Sequence, residues 1–413
     1  MTSLFAGALT ACTSMLLPAG TLRNSQSPSS RDTSSDGYKL IYSFAASGKA
    51  DDGQAPQAKL AEFGGDFYGT TAYGGTTNNH CAIGCGIVFR LSSAGKESVV
   101  YRFKGGSDGA APLAGLIVAN GSLIGTTSAG GDGTCAAGCG TIFSVSTSGK
   151  ERVLHSFGGS DGANPAAGLV AVGTSLYGTT QLGGKVTPLC HSGCGTVFQS
   201  NLSGTTHVVY RFAGPDGAMP LATLLVLAGK LYGTTQYGGT STSFCQTGCG
   251  TVFVISTSGI EKILHGFKFG RGQYDGAFPA AGLVARAGLL YGTTIGGGKF
   301  SDGSVYQVNI SSGAESVLHS FHCCGTVRDG RYPVAPLIVV QGKLYGTTFN
   351  GGGSNAGTVF TVAGSKESVL HDFAGKPDGA APRAALVDSG GLLYGSTSAG
   401  GSSSEGSIFK LLP

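Results

Sequence analysis

The sequence predicts an all-β protein, a seven-bladed β-propeller of four-stranded antiparallel blades. Three observations predict it: the composition excludes helices, one unit recurs seven times, and each unit contains four strand-like runs. Gly accounts for 74 of the 413 residues, and each interior Gly costs a helix roughly 1 kcal/mol. Charged residues make up 12% of the chain and the net charge is +4, too small and too dispersed for a nucleic-acid-binding surface.

The repeated unit has four phrases in a fixed order. Leu-Tyr-Gly-Thr-Thr-x-x-Gly-Gly, with small variations, has its first Gly at positions 69, 125, 178, 233, 292, 346 and 395. Gly-Thr-Val-Phe or a relative ends at positions 89, 143, 198, 253, 306, 360 and 409. Val-Leu-His-Ser-Phe or a relative ends at positions 44, 103, 157, 212, 267, 321 and 373. Asp-Gly-Ala-x-Pro follows, with its Asp at positions 52, 108, 161, 216, 275, 329 and 378, and a short Leu-Val run closes the unit.

Each unit therefore contains four apolar runs of five to seven residues separated by Gly-rich turns, the signature of short antiparallel strands. The unit recurs at intervals of 49 to 59 residues, which is the pattern of a propeller blade. We name the Leu-Val run strand A, Tyr-Gly-Thr-Thr strand B, Gly-Thr-Val-Phe strand C and Val-Leu-His-Ser-Phe strand D.

In this phase the chain begins with a D strand at 38–44 and ends with strands A, B and C at 384–411. The N-terminal strand would complete the last blade and close the ring, which removes an exposed sheet edge. The alternative phase has seven unshared blades and needs no such closure. We favour the closed ring.

The regions before the repeats predict export. Residues 1–22 carry no charge and include an apolar stretch. The stretch is short and is interrupted by polar residues, so it resembles an export signal more than a membrane span, which needs about 20 apolar residues. Leu9 to Cys12 is similar to a lipobox, so Cys12 is a candidate for lipidation. Residues 23–37 are a Ser-rich linker, and 38–413 are the propeller. We expect a periplasmic, extracellular or cell-surface protein, lipid-anchored if Cys12 is modified.

The two phrases Leu-Tyr-Gly-Thr-Thr-x-x-Gly-Gly and Gly-Thr-Val-Phe resemble those that define the bacterial choice-of-anchor tandem repeat GloVer-containing family. The resemblance covers residues 38–413. It implies an exported or surface-anchored protein and places any anchor of this chain at its N-terminus. The family brings no established activity and no catalytic residues to this sequence.

Ten of the eleven cysteines lie in the repeats. Eight form Cys-x-x-Gly-Cys-Gly motifs in the predicted B–C loops of the first four blades: Cys81/Cys85, Cys135/Cys139, Cys190/Cys194 and Cys245/Cys249. Cys323 and Cys324 are adjacent. An even set in an exported domain predicts disulfides. Zinc half-sites and free thiols are the alternatives, and zinc is disfavoured because no His recurs beside the motifs.

Several polar residues repeat with the blades. The seven Asp could together attract a cation such as Ca²⁺, but Asp-Gly is a turn pair whose carboxylate bonds nearby backbone N–H groups, and we favour turn chemistry. His155, His265, His319 and His371 share one position in strand D. A catalytic His is expected once in a cleft, so we assign these to packing or to the surface. The repeated Tyr of strand B is assigned to the core between blades.

Departures from the repeat are better candidates for a ligand site. Two successive Phe-to-Asp segments, Phe267–Asp275 and Phe321–Asp329, are longer than most. With the residues beside them they form a basic and aromatic cluster: Lys268, Arg271, Tyr274, His322, Arg328, Arg331 and Tyr332. We interpret this cluster, next to Cys323 and Cys324, as the docking place of an anionic or carbohydrate partner; the alternative is a pair of solvated loops.

The sequence therefore favours an exported binding module for an extracellular polymer or protein, acting as a monomer without a cofactor. No metal ligands, catalytic residues, nucleic-acid site or transmembrane span of the mature domain are assigned. One alternative is a propeller hydrolase or lyase for a carbohydrate or lactone, which needs converging acids and bases in the central funnel. A structural surface or adhesion module is the other. Propellers serve all three classes, so the fold does not decide.

Overall fold

Seven four-stranded antiparallel sheets form a ring in the computed structural model, which describes residues 37–45, 52–270, 272, 274–322 and 329–413. The predicted seven-bladed propeller is confirmed. Several predictions lie outside the described residues: the export signal 1–22 with Cys12, the linker up to residue 36, Arg271, Arg328, Cys323 and Cys324. A search of the described residues for a long apolar helix that could span a bilayer finds none.

The blades, numbered 1 to 7 along the chain, have these strands. Strand A is Ala61–Phe63, Ile117–Ala119, Val170–Val172, Leu225–Leu227, Val284–Arg286, Ile338–Val340 and Val387–Ser389. Strand B is Asp66–Thr71, Ser122–Thr127, Ser175–Thr180, Lys230–Thr235, Leu289–Thr294, Lys343–Thr348 and Leu392–Gly400. Strand C is Ile87–Leu91, Thr141–Ser146, Thr196–Ser200, Thr251–Ser256, Ser304–Asn309, Thr358–Ala363 and Ser407–Leu411. Strand D is Glu97–Arg102, Glu151–Ser156, Thr206–Arg211, Glu261–Gly266, Glu315–Ser320, Lys366–Asp372 and, in blade 7, Lys39–Ser43.

Short elements connect the blades. Two-residue ladders join the loop before a blade to that blade's B–C loop: Gly53–Gln54 with Tyr73–Gly74, Gly276–Ala277 with Gly296–Gly297, and Gly330–Arg331 with Asn350–Gly351. Gly379–Pro382 pairs with the long B strand of blade 7. Within the described ranges, helical structure is limited to the single 3₁₀ turn Gly106–Asp108.

The N-terminal strand closes the ring. Lys39–Ser43 pairs antiparallel with Ser407–Leu411, so the first strand of the chain is the outer strand of the last blade. This confirms the closed phase. Closure covers the edge of strand C in blade 7, which would otherwise present unpaired backbone groups.

The inner strand is shorter than predicted. Strand A has three residues in every blade, where the sequence predicts at least five. The residues before it bond the neighbouring blades: the Thr126 hydroxyl donates to the Ala167 carbonyl at 3.2 Å, and the Gly168 N–H donates to the Thr223 hydroxyl at 2.9 Å. The preceding Pro has no N–H to give to a ladder. These backbone groups therefore connect blades rather than lengthen strand A.

The Gly-Thr-Thr phrase of strand B has a separate role for each residue, illustrated in blade 2. A Cβ on Gly125 would lie 2.6 Å from Cζ of Phe143, so Gly is required for this ring to rest on strand B. Thr126 bonds the next blade, as described above. The Thr127 hydroxyl lies 2.8 Å from that of Thr141 on strand C. The phrase repeats because every blade needs all three contacts.

The hydrophobic core lies between blades as seven separate clusters, one at each junction. At the junction of blades 1 and 2, the ring of Phe103 meets the ring of Phe143 edge-on at 4.9 Å. The same contact, with centroids 4.9 to 5.2 Å apart, occurs at every junction. The strand B tyrosines Tyr68 and Tyr177 belong to these clusters, as predicted.

Candidate functional site

The B–C loops and the loops between blades lie together on one face of the ring, which we call the loop face. In blade 1, the side-chain amide of Asn78 donates to the Lys104 carbonyl at 2.7 Å. In blade 4, the Thr242 hydroxyl donates to the Phe269 carbonyl at 2.8 Å. The two loop types therefore contact each other on one face.

Four disulfides close the B–C loops of blades 1 to 4. They are Cys81–Cys85, Cys135–Cys139, Cys190–Cys194 and Cys245–Cys249, each with a Cα–Cα distance of 5.1 Å. The predicted pairing is confirmed, and the zinc and free-thiol alternatives are wrong for these eight cysteines. A five-residue ring of this kind contributes about 2 kcal/mol by restricting the unfolded chain.

The repeated Asp organises each loop between blades. In the loop after blade 1, Asp108 accepts a hydrogen bond from the Lys104 N–H at 2.7 Å and another from the Tyr101 hydroxyl at 2.6 Å. In the loop after blade 2, Asp161 accepts from the Gly158 N–H at 2.8 Å and faces Nε2 of His155 at 2.8 Å. The predicted turn chemistry is present, and the repeated strand D residue, Tyr or His, supplies a partner that the sequence did not reveal.

At several junctions a glutamate from the next blade joins this pair. Burial, and next the negative charge of Asp108, raise the pKa of Glu151 to about 7. Burial and Asp216 raise the pKa of Glu261 to about 7 in the same way. Each such junction therefore holds two carboxylates that cannot both ionise without cost.

The residue before the repeated Pro adopts a left-handed backbone in every repeat. Its φ lies between 53° and 60° at Ala55, Ala111, Asn164, Met219, Phe278, Tyr332 and Ala381. This conformation costs an L-residue roughly 1–2 kcal/mol. It persists because each N–H bonds the B–C loop of the preceding blade, as from Tyr332 to the Asp302 carbonyl at 2.9 Å.

Large side chains occupy this position in one sector of the ring. They are Met219, Phe278 and Tyr332, in the three consecutive loops that enter blades 4, 5 and 6, whereas the other four residues are Ala or Asn. The Phe278 ring lies 5.5 Å from that of Tyr237. The Phe349 N–H donates to the Tyr332 carbonyl at 3.1 Å, so these two aromatic residues are adjacent.

A cation adjoins this sector. The Arg383 guanidinium lies over the Phe349 ring, 4.1 Å from its centroid. Arg383 is exposed, and partial desolvation by the surrounding protein lowers its pKa while it stays protonated. We call Phe278, Tyr332, Phe349 and Arg383 the aromatic sector.

Arg383 also lines the central channel, a cavity of about 580 Å³ walled by the inner segments of all seven blades. Small and aliphatic residues form most of the wall. Of the described residues that line it, three are charged: Lys59, Glu62 and Arg383. Glu62 is the single acid among the described residues of this wall, which therefore hold no pair of acids of the kind that glycoside hydrolysis uses.

The described members of the predicted basic and aromatic cluster lie on the loop face in two parts. Lys268 and Tyr274 are exposed in the loop after blade 4. After blade 5, the His322 ring stacks on that of Phe300 at 4.1 Å, and Arg331 lies over the ring of Tyr332 at 5.1 Å.

Sequence reasoning missed the contributions of Phe300, Phe349 and Arg383. Phe300 lies in the blade 5 B–C loop, where the four preceding blades have a cysteine motif. Phe349 is the one aromatic residue at its repeat position, and Arg383 is the one charged residue at its own. Comparing the repeats position by position was the signal that could have found them.

Comparison with solved structures gives distant similarities. A structure named as a 6-phosphogluconolactonase from Bacteroides uniformis is 13% identical, with 76% of this chain and 84% of that chain covered and a TM-score of 0.47. TolB from Acinetobacter baumannii is 11% identical over 66% and 59% of the chains, with a TM-score of 0.35. Trypanosoma rangeli sialidase is 10% identical over 78% and 56%, with a TM-score of 0.44.

Among curated proteins, none matches this chain. The family comparison is decisive, because one repeat description matches the chain four times, over residues 30–187, 73–294, 136–360 and 288–413. These matches span the whole propeller and follow the phrases that the structure explains as blade contacts. The chain belongs to the Gloeobacter/Verrucomicrobia repeat family.

Proposed function

We propose that this protein is an exported binding module that holds an acidic polysaccharide on its loop face, at blades 4 to 6. The observation that carries the proposal is the asymmetry of a repeated position. The residue before Pro is large in three consecutive repeats, although the same left-handed backbone accepts Ala at three others. The backbone accepts a small side chain at this position, and Phe278 alone of the two aromatic residues here packs against a core cluster. We assign a ligand as the reason for the run of three large residues.

The chemistry of the sector suits a sugar polymer that carries carboxylates. Aromatic faces pack against the apolar faces of sugar rings, and guanidinium and ammonium groups pair with carboxylates. Phe244, Tyr274 and Phe300 are exposed in the loops of the same blades, at 55%, 58% and 41%. The exposed Lys268 and Lys299 lie beside them. The loop Asp carboxylates are engaged in hydrogen bonds within the fold, which leaves cations to face a ligand.

Export is part of the same proposal. Four disulfides form and persist in oxidising compartments such as the periplasm or the cell exterior. We assign residues 1–22 as the export signal, 23–37 as a linker and 38–413 as a monomeric binding domain. Cys12 is the candidate attachment point for a lipid.

The test compares binding of the purified protein to alginate, polygalacturonate and neutral dextran by calorimetry. The triple variant Phe278→Ala, Tyr332→Ala and Arg383→Gln takes its residues from the same positions in other repeats, Ala55, Ala111 and Gln57. We expect the wild type to bind at least one acidic polymer, more weakly as salt rises, and the variant to lose at least tenfold in affinity. The control Ile260→Ser, at a residue 75% exposed in a C–D turn, retains wild-type affinity.

Equal affinity of the triple variant and the wild type would overturn the assignment of the sector. Three further outcomes would each replace the proposal. Release of new reducing ends or of unsaturated sugars would favour the hydrolase or lyase. Concentration-dependent assembly in sedimentation experiments would favour the structural module. Binding to a protein partner, with no polysaccharide bound, would assign the loop face to protein recognition.

A further inference from the structure

Two junctions between blades bring a histidine, an aspartate and a glutamate together. The members are His265, Asp275 and Glu315 between blades 4 and 5, and His319, Asp329 and Glu367 between blades 5 and 6. Within each group the nitrogen and oxygen atoms that could bind a metal all lie within 4.8 Å of one another. The His and Asp come from one blade and its exit loop, and the Glu comes from the following blade.

Each group is oriented by the surrounding fold. Nε2 of His319 lies 2.8 Å from Oδ2 of Asp329, while Oδ1 of Asp329 accepts from the Gly330 N–H at 2.7 Å. Nε2 of His265 lies 3.1 Å from Oδ2 of Asp275. In each Asp, Oδ1 accepts the N–H of the next residue, and Oδ2 faces the imidazole while also accepting a backbone N–H, from Lys268 or His322.

In both groups one glutamate oxygen lacks a hydrogen-bond partner, as it also does in Glu151 and Glu261 at two junctions with tyrosine. Oε1 of Glu315 and Oε1 of Glu367 are buried and make no hydrogen bond. A buried carboxylate oxygen without a partner is costly. Beside the first group, the hydroxyl of Tyr306 is also buried without a partner.

Junctions with tyrosine show what the histidine changes. The Tyr101 hydroxyl donates a hydrogen bond to Asp108 at 2.6 Å, and the Tyr42 hydroxyl donates one to Asp52 at 2.9 Å. In the junction that closes the ring, the Tyr42 hydroxyl lies 3.5 Å from Oε2 of Glu97. A phenol can serve both carboxylates, whereas the imidazoles of His265 and His319 face the aspartate. The histidine junctions therefore place a nitrogen ligand beside two carboxylates.

We propose that each of these two junctions binds one Zn²⁺ ion through the imidazole nitrogen and the two carboxylates. Nitrogen and carboxylate oxygen ligands suit Zn²⁺, at about 2.0–2.2 Å from the ion. The three ligand atoms of each group lie within 4.8 Å of one another, so side-chain rotation would bring them to binding distance of one ion. An ion here neutralises two adjacent carboxylates and joins neighbouring blades. His265 lines a cavity of about 430 Å³ beside the first site.

The test measures Zn²⁺ bound to the full-length protein by calorimetry and by elemental analysis after dialysis. We expect two ions per chain, one in His265→Tyr or in His319→Tyr, and none in the double variant. Tyr is a matched replacement, because Tyr42, Tyr101 and Tyr210 hold the same position and bond the same Asp. Zn²⁺ should raise the thermal midpoint of the wild type and leave that of the double variant unchanged.

His155→Tyr is the control, because that junction has Thr206 where the two proposed sites have Glu315 and Glu367, and it should keep two ions. Glu315→Gln and Glu367→Gln provide a second pair of variants if the tyrosine variants unfold, and each should lose one ion. Absence of Zn²⁺ binding by the wild type would overturn the proposal. So would two ions retained by the double histidine variant, or by both glutamine variants.

Discussion

The Tyr101 hydroxyl donates a hydrogen bond of 2.6 Å to Oδ1 of Asp108, which ties the outer strand of blade 1 to the loop that leads into blade 2. The same contact, from Tyr or His to the loop Asp, occurs after every blade at 2.6 to 3.1 Å. Because this Asp also accepts backbone N–H groups, one carboxylate shapes the loop and fixes it to the strand. The repeated contact between the strand D residue and the loop Asp therefore fixes the loops of the loop face.

Removal of the phenol hydroxyl tests this contact. We expect Tyr101→Phe to lower the free energy of unfolding by about 1.5–3 kcal/mol, the usual range for a hydrogen bond to a charged group. Chemical denaturation measures the change. Tyr73→Phe, at a residue 38% exposed, is the control and should match the wild type. Equal stability of Tyr101→Phe and wild type would show that the contact adds nothing.

The paired carboxylates predict a pH dependence of stability. Burial and neighbouring Asp raise the pKa values of Glu151 and Glu261 from 4.5 to about 7. Because the folded-state pKa exceeds the unfolded value, protonation stabilises the fold; this stabilisation is full below pH 4.5 and is lost as the pH rises through 7. We expect Glu151→Gln plus Glu261→Gln to raise the thermal midpoint above wild type at pH 8.5 and to match it near pH 4.5.

Glu62→Gln is the control for that experiment, since Glu62 is exposed on strand A of blade 1, and its midpoint should follow the wild type at every pH. A constant difference between the double variant and wild type from pH 4.5 to 8.5 would contradict the assigned pKa values.

The strand B glycine can be tested by adding one methyl group. In Gly125→Ala the new Cβ would meet Phe143 at 2.6 Å and Leu116 at 2.9 Å, so we expect a loss of about 1–3 kcal/mol from overpacking. Gly266→Ala is the control, because its nearest neighbour, Thr240, is 3.7 Å away. Phe143→Leu should reduce the cost of Gly125→Ala in a double-mutant cycle. Additive losses would show that the two residues do not compete for space.

Ring closure predicts different effects for two N-terminal truncations. A chain that begins at residue 37 retains strand Lys39–Ser43 and Phe44, whose side chain is fully buried, and should keep the wild-type thermal midpoint. A chain that begins at residue 45 loses both and exposes the edge of strand C in blade 7, so it should melt earlier and self-associate. Calorimetry and sedimentation measure the two effects. A stable monomer beginning at residue 45 would contradict closure by this strand.

The fold was predictable because the sequence unit of one blade recurs seven times. Each phrase makes a contact within its own blade or with the next one, so the same residues recur wherever a blade meets its neighbour. The cysteine motifs were equally readable, since both members of a pair lie within five residues. The length of strand A could not be predicted, because the order of residues does not show that Ala167 and Gly168 form hydrogen bonds with neighbouring blades.

The sequence by itself thus determined the propeller, its preferred strand phase and the four disulfides. The tertiary structure decided which polar residues meet. Glu315 lies 50 positions after His265 along the chain, and they become neighbours because the outer strand of one blade packs against that of the next. Such contacts depend on how two neighbouring blades pack against each other. The repeat in the sequence gives the number of residues between blades but not which side chains of two blades come into contact.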